Sequence, residues 1–445
     1  MCCILSGFIM SVSAQQAITK AQFPFDITRT IVKEHVYPNT VSYVETTGDH
    51  YFAYADASMV ICHHKIDNNI FVRDFKVFKD TVYFCGYDKS NGCHGIWGFF
   101  SVADLQSNTF YYDSYSGFTC NNQYVDTLHS IVVYYTQSTK HIVTVGSTTD
   151  GASVKNGCTI DITPSTGGLY TWVYTIGVTP DYSGEILRYA CETDNLVVVA
   201  GSYLHTPFYE AYRIHLKNNI FSTSGLQDII WYFSHHSSEP YYRNPYKFAI
   251  AHKQGDTVAM AFQSFNALYN SYFVLYYEYD MSSLTIGIIN TINSLAVQTS
   301  QYPLDVEGMV YSVNNNSVSL LVKGYLPFFP LNGNGSIVAE ITPGSTPVSL
   351  HGLKDIELHS IDGYNSQNNF VCLGADMADY QNATFYTQPL NVGISCTNNG
   401  PALGPNPTFM TKQDKYPYKP CSDSFNCKTN KKVTLKQTSN NIVCQ

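Results

Sequence analysis

Charge is scarce in this chain: 13 % of its 445 residues are charged, about half the ordinary share for a soluble protein. Long apolar runs are missing too. None reaches the roughly 18 residues that a helix needs to cross a bilayer, so no transmembrane segment is expected. No Cys-x-x-Cys occurs among the 13 cysteines, which removes the commonest zinc and thioredoxin-type sites. Helical periodicity is almost absent, and that argues against α/β folds. There is no Gly-x-Ser-x-Gly, no P-loop and no dinucleotide-binding glycine pattern, so the corresponding hydrolase and nucleotide chemistries have no anchor. No cofactor is expected.

Aromatic residues are abundant instead, with 36 Tyr and 25 Phe. Together with β-branched residues, and with Asn, Ser and Gly between the runs, they make an all-β composition. The stretch Val72 to Val102 reads as three strands: Val72–Phe78, Thr81–Gly86 and Gly95–Val102. Its middle run recurs at His141–Gly146, Leu196–Gly201, Thr257–Phe262, Ser317–Val322 and Phe370–Gly374, with closing glycines at 86, 146, 201, 324 and 374. A period near 50–60 residues, with a partner strand on either side of each run, predicts a β-propeller. Seven units fit best (31–69, 70–117, 125–177, 185–233, 246–293, 305–350 and 355–396), six or eight being alternatives. The runs are near-continuously apolar, as expected of strands covered on both faces.

The N-terminal run to Met10, followed by Ser11-Val-Ser-Ala14, has the pattern of a signal peptide over 1–14 cut after Ala14. The propeller then spans 15–396, and the product is secreted, periplasmic or on the cell surface. Asn398 to Pro420 holds five prolines, a linker composition. Residues 411–445 carry seven Lys and two Asp, so the 397–445 tail is basic while residues 1–410 carry −14 of the net −9. Such a tail would dock on the body. Its run Lys432–Lys436 is expected to pair with the short first unit and close the ring. It is too short and too poor in Arg for nucleic acid. Cysteine spacing points to the pairs Cys85–Cys93, Cys421–Cys427 and Cys396–Cys444.

The phrase of strand, short turn, apolar run ending in Gly and Gly-aromatic strand, best seen from Asp80 to Phe100, resembles uncharacterised secreted proteins of Bacteroidetes. That resemblance implies an exported propeller and no particular activity. No recurring Trp-Asp or kelch Gly-Gly is present, and Ser165 to Trp172 misses the Asp-box of sialidases, reading as a hairpin turn.

Three aromatic stretches are the candidate ligand-binding loops: Tyr111, Tyr112 and Tyr115; Tyr241, Tyr242, Arg243 and Tyr246; and Phe328 with Phe329. Flat rings beside polar tips suit a glycan or an extracellular protein. His63-His64 and His235-His236 near Glu239 are the metal-like clusters. Neighbours on a strand face opposite sides, and no third ligand stands at a fixed spacing, so no metal is expected. Asp305, Glu307, Asp355, Glu357 and Asp362 are carboxylates that could serve glycoside hydrolysis if they met across a cleft. The leading reading is a monomeric, non-enzymatic binding or adhesion module. A glycan-active hydrolase or lyase with channel carboxylates and a structural surface component are the alternatives.

Overall fold

The computed structural model describes most of the chain between Ala17 and Gln437. Outside the described residues lie 1–16, 150–154, 176–184, 204–208, 217–228, 235–240, 281–289, 327–332, 342–348, 390–409, 421–432, 438–445 and shorter pieces of other turns. The signal peptide, His235, His236, Glu239, Phe328, Phe329, Cys93, Cys396, Cys421, Cys427 and Cys444 therefore lie outside them.

Among the described residues, strands pair antiparallel into seven sheets. The first is Ile27–Glu34, Thr40–Thr46, His50–Ala55 and Ile61–Ile66. The second is Ile70–Phe78, Thr81–Asp88, His94–Ser101 and Phe110–Ser116. The third to sixth begin with Gln123–Thr136, Glu185–Glu192, Tyr241–His252 and Leu304–Ser312, each strand pairing with the next along the chain. The last is Ile356–Tyr364, Asn369–Asp376 and Asp379–Pro389. The opening strand of every sheet adjoins the opening strand of the next, and that of the last adjoins that of the first. These strands ring a central axis, and the fold is an all-β propeller.

Period-two side-chain geometry explains the cores. On Thr81–Asp88, Val82 and Phe84 join a cluster with Phe52 and Tyr54 of the first sheet. Their neighbours Tyr83 and Cys85 point the other way, into a cluster with Val125 and Ile131 of the third. A run covered on both faces needs no polar side, which is why these strands read as unbroken apolar segments. The one helix among the described residues, Val102–Leu105, is capped by Ser101 and Asp104 between two outer strands. No described helix is long and apolar enough to cross a membrane.

Closure differs from expectation. The first sheet has four strands of its own and is not short. The strand that completes the last sheet is Ala17–Gln22, paired with Asp379–Pro389 from Ala17 opposite Thr387 to Gln22 opposite Asn382. Phe23, 2 % exposed, follows it into the cluster shared by the first and last sheets. The tail instead adds outermost strands to three other sheets. Met410–Asp414 lies on the fourth, Lys419–Pro420 on the third and Val433–Gln437 on the second. An N-terminal strand already satisfies the backbone groups of the last sheet's edge, so no tail segment is needed there.

Candidate functional site

Every opening strand carries a register irregularity near its start. In six sheets single residues are extra: Thr28, Arg73, Arg188, Glu307 and His359 in five of them, and both Asp126 and His129 in the third. In the fifth sheet residues 244–247 occupy the equivalent gap between Arg243 and Phe248. A β-bulge bends its strand and re-aims a side chain. Here it does so at the same level of every sheet around the axis.

The bulge also explains the repeated glycine. Gly86, Gly146, Gly201 and Gly374 face Val72, Leu128, Leu187 and Leu358, the residues just before the bulges. A Cβ on Gly86, Gly146 or Gly374 would lie 1.9, 2.0 or 2.0 Å from the carbonyl oxygen of Phe71, Thr127 or Glu357. These glycines do not close their strands, as expected, but sit inside them. The strands run on to Asp88, Thr149, Tyr203 and Asp376.

Charged side chains converge where the bulges meet the axis. The phenol of Tyr189, in the fourth sheet, is pushed up to about 12, chiefly by burial, and it feels Arg188, Glu307, Arg29 and Asp74. Those groups come from the fourth, sixth, first and second sheets. Arg29, Lys33 and Tyr189 are each partly accessible yet enclosed by protein, as groups lining a narrow lumen are. Burial lowers the Arg29 pKa, with Arg73 adding to the effect.

Most channel carboxylates are engaged. Asp74 accepts from Ser130 Oγ at 2.7 Å and from the Ile131 and Phe75 amides at 3.2 and 2.9 Å. Lys33 Nζ lies 3.9 Å from Asp74 Oδ1. Asp362 accepts from the Glu34 amide at 2.6 Å. Lys323 Nζ stands 3.3 Å from Glu307 and 2.8 Å from Glu357. His359 Nε2 is 3.5 Å from Glu357. The contact from His359, then that from Lys323, holds Glu357 at about 2 against the opposing effect of burial. For Lys323, burial works against its charge, but Glu307 and Glu357 outweigh it and raise the pKa. Arg29 donates to the Val72 and Arg73 carbonyls, both at 2.6 Å.

The predicted residues divide. Glu307, Glu357, Asp305 and Asp362 all lie on opening strands, while Asp355 sits in the turn before Ile356 with φ 59°. Asp305 is 3.4 Å from Gln263. Tyr241, Tyr242 and Arg243 pair with Asn266, Phe265 and Ser264 on the fifth opening strand, and Tyr246 falls in its irregularity. They are strand residues at the level of the other bulges, not a loop. Tyr111, Tyr112 and Tyr115 belong to the strand Phe110–Ser116. Tyr112 and Tyr115 are 3 % and 9 % exposed, while Tyr111 at 36 % faces outward. Tyr115 stacks on Trp97 at 4.7 Å.

The bulged Arg73, His129, Arg188 and His359, with Arg29, Lys33 and Lys323, were not singled out by sequence. For the four bulged residues the signal is an aliphatic residue followed by a basic one, the aliphatic residue standing 14 to 18 residues before a strand glycine.

His63 and His64 do face opposite sides. His63 packs on Phe23 and Tyr51 at 5.1 and 5.3 Å. His64, 1 % exposed, stacks on Phe110 with Nε2 3.1 Å from the Leu105 carbonyl. The Cys85–Cys93 pair is not formed. Cys85 is a free, fully buried thiol opposite Trp97, three residues inside a ladder that continues to Asp88 opposite His94. Three strand residues span about 10 Å, beyond the reach of a disulfide.

No known family matches the chain, and no curated relative does. Among solved structures the chain is similar to the β-propeller domain of the trilobed protease from Pyrococcus furiosus. The two share 9 % identity over 84 % of this chain and 100 % of that one, with a TM-score of 0.45.

Proposed function

We propose that the chain is an exported, non-enzymatic binding propeller in which each of the seven sheets is one blade, and that it takes a glycan at the channel. The observation that carries this reading is the convergence on Tyr189 of charged groups from the first, second and sixth sheets. A lumen lined by hydrogen-bonding side chains, set on rigid strands, is pre-organised for a hydroxyl-rich ligand. The placement of Tyr241, Tyr242, Arg243 and Tyr246 at the bulge level of the fifth opening strand adds residue types suited to stacking on sugar rings.

The second reading, a hydrolase or lyase, draws support from Asp74, Glu307 and Glu357 lining the same channel as His359. The enzyme reading needs, beside an ionised carboxylate, a carboxyl group that still holds its proton near neutrality, and Glu357 does not supply that acid. Glu357 is driven the other way, to about 2.

A glycan array probed with the full chain tests the proposal. Binding should appear and be weakened in Tyr189→Phe, which removes the hydroxyl, keeps the enclosed ring and should leave the melting temperature close to that of the wild type. Release of new reducing ends or unsaturated products from a bound glycan would establish the enzyme instead. Absence of any glycan signal would overturn the binding reading.

A further inference from the structure

The tail follows a rule as it crosses the sheets. It meets the fourth, the third and the second in that order, and these are neighbours around the ring. Each piece lies antiparallel to the outermost strand it covers and enters near the C-terminal end of that strand. Met410 stands opposite Ser234, the last residue of Ile229–Ser234, and Asp414 opposite Ile230 near its start. Lys419 stands opposite Thr175, the last residue of Gly168–Thr175. Val433 stands opposite Ser114, and Gln437 opposite Phe110, the first residue of Phe110–Ser116. Between the start of one outer strand and the end of the next, the tail therefore uses as few as four residues, 415–418.

The next sheet in that order is the first. Its outermost strand, Ile61–Ile66, pairs with His50–Ala55 on one side, and among the described residues no strand pairs with it on the other. The strand is firmly seated, since His64 and Ile66 are each 1 % exposed. A bare edge of this kind presents a row of backbone donors and acceptors to any extended chain, and a lysine often guards it. Lys65 does not serve as that guard. Its Nζ lies 2.6 Å from Asp49 Oδ1, just before His50–Ala55, so its charge is drawn back over the sheet.

The sequence after Gln437 fits one more step. Residues 438–441, Thr-Ser-Asn-Asn, supply the same four-residue crossing that 415–418 make between the fourth and third sheets. The paired asparagines suit a change of direction. Ile442 and Val443 follow them, and both are β-branched residues that favour strands. We infer that residues 442–445 add a fifth strand to the first sheet, antiparallel to Ile61–Ile66 and entering beside Ile66. The tail then belts four successive sheets. Its own segment is the occupant because Gln437 is already held on the neighbouring sheet. A short tether gives the segment an effective concentration on the order of mM at the edge, which a free peptide or a second copy does not reach. Backbone pairing supplies the affinity, as in other strand additions. The inference does not depend on the glycan reading.

Hydrogen–deuterium exchange on the full chain, read by mass spectrometry, tests it. Peptides covering 61–66 should exchange at least about tenfold faster once residues 438–445 are deleted, while those covering 81–88 keep their rates. Proline provides a milder perturbation, since it has no amide to donate and alternate amides of a strand face its partner. One of Ile442→Pro and Val443→Pro should therefore reproduce the deletion. Unchanged exchange at 61–66 in the deletion and in both proline variants would overturn the inference. An equal acceleration at 81–88 would also overturn it, because the ring as a whole would have loosened. So would protection of 61–66 that fades on dilution together with a dimer in gel filtration, which would assign the edge to a second copy of the chain.

Discussion

Gly86 lies opposite Val72, and a Cβ placed on it would stand 1.9 Å from the carbonyl oxygen of Phe71. The obstacle is backbone, held by the bulge at Arg73, so no side chain can rotate away to relieve it. Gly86→Ala, Gly146→Ala and Gly374→Ala should each destabilise the propeller by about 3 kcal/mol, as overpacking against a fixed wall does. Gly363→Ala is the control, because its Cβ would meet only Val310 at 3.5 Å. Chemical denaturation should separate the three from the control; equal midpoints would show that the bulges yield freely.

That relationship marks the limit of what was legible in the sequence. The glycine repeat was visible and gave the fold class, because near-continuous apolar runs at a regular period admit few alternatives. The cause of the glycines was not visible, since it depends on how a partner strand bulges, and the bulged residues are ordinary polar ones. The site followed the same division. Glu307 and Glu357 were read as channel candidates, yet Arg73, Arg188 and His359, their neighbours around the axis, were not. Tyr112 and Tyr115 were read as loop residues because Asp113 and Ser114 stand between them. In the strand, Phe110, Tyr112 and Ser114 share one buried face while Tyr111 is turned outward. Ala17–Gln22 was missed as the closing strand because its small and polar residues carry no β pattern of their own.

Closure by Ala17–Gln22 makes a contrast between the two ends of the described chain. Deleting 17–22 strips the edge of Asp379–Pro389, the ion pair of Lys20 with Asp376, and the connection leading Phe23 into its cluster. The whole ring should then melt several degrees lower and associate through the bared edge. Deleting 410–445 removes only outermost strands from three complete sheets, so its effect on the melting temperature should be smaller. Calorimetry and gel filtration of both deletions decide this; a larger loss from the second would mean that the tail, not the N-terminal strand, holds the ring.

Cys85 and Cys372 are both fully buried, and burial pushes both thiols well above their ordinary range. The reactive thiolate is therefore scarce and inaccessible. Neither should be labelled by a maleimide in the native protein, and both should be labelled once denaturant unfolds it. Cys62, half-buried, should react first. A peptide map showing Cys85 joined to Cys93 would contradict the fold at this strand.

Lys253 and Glu278 form an ion pair at 2.9 Å, with side chains 7 % and 0 % exposed, and the Tyr276 hydroxyl donates to the same carboxylate at 2.6 Å. Burial, then Glu278 itself, pushes the Tyr276 phenol upward. Removing one partner strands the other in a dry site, so Lys253→Met should cost about 3–5 kcal/mol. Lys253→Met with Glu278→Leu should recover part of that loss. A single variant as stable as the wild type in urea would show that water reaches the carboxylate.

Lys323 ties the two glutamates of the channel together, and its effect on stability has a defined sign. Glu357 has a folded pKa of about 2 against an ordinary 4.5, so the unfolded chain binds its proton first as the solution is acidified. Its contribution is complete above about 4.5 and fades as the pH falls toward 2. Lys323 is raised above 10.5, so its own contribution is complete below that value and is lost only as the pH climbs through the higher folded one. Between pH 5 and 10 the pair should hold stability level, and below 4.5 stability should fall. Lys323→Met leaves Glu307 and Glu357 facing each other without a cation, and the partly accessible site limits the loss to about 1–2 kcal/mol at pH 7. Because protonation then relieves repulsion, the variant should lose less on acidification than the wild type. Urea titrations at pH 7 and pH 3 measure both differences, and a variant that tracks the wild type at both would remove Lys323 from the network.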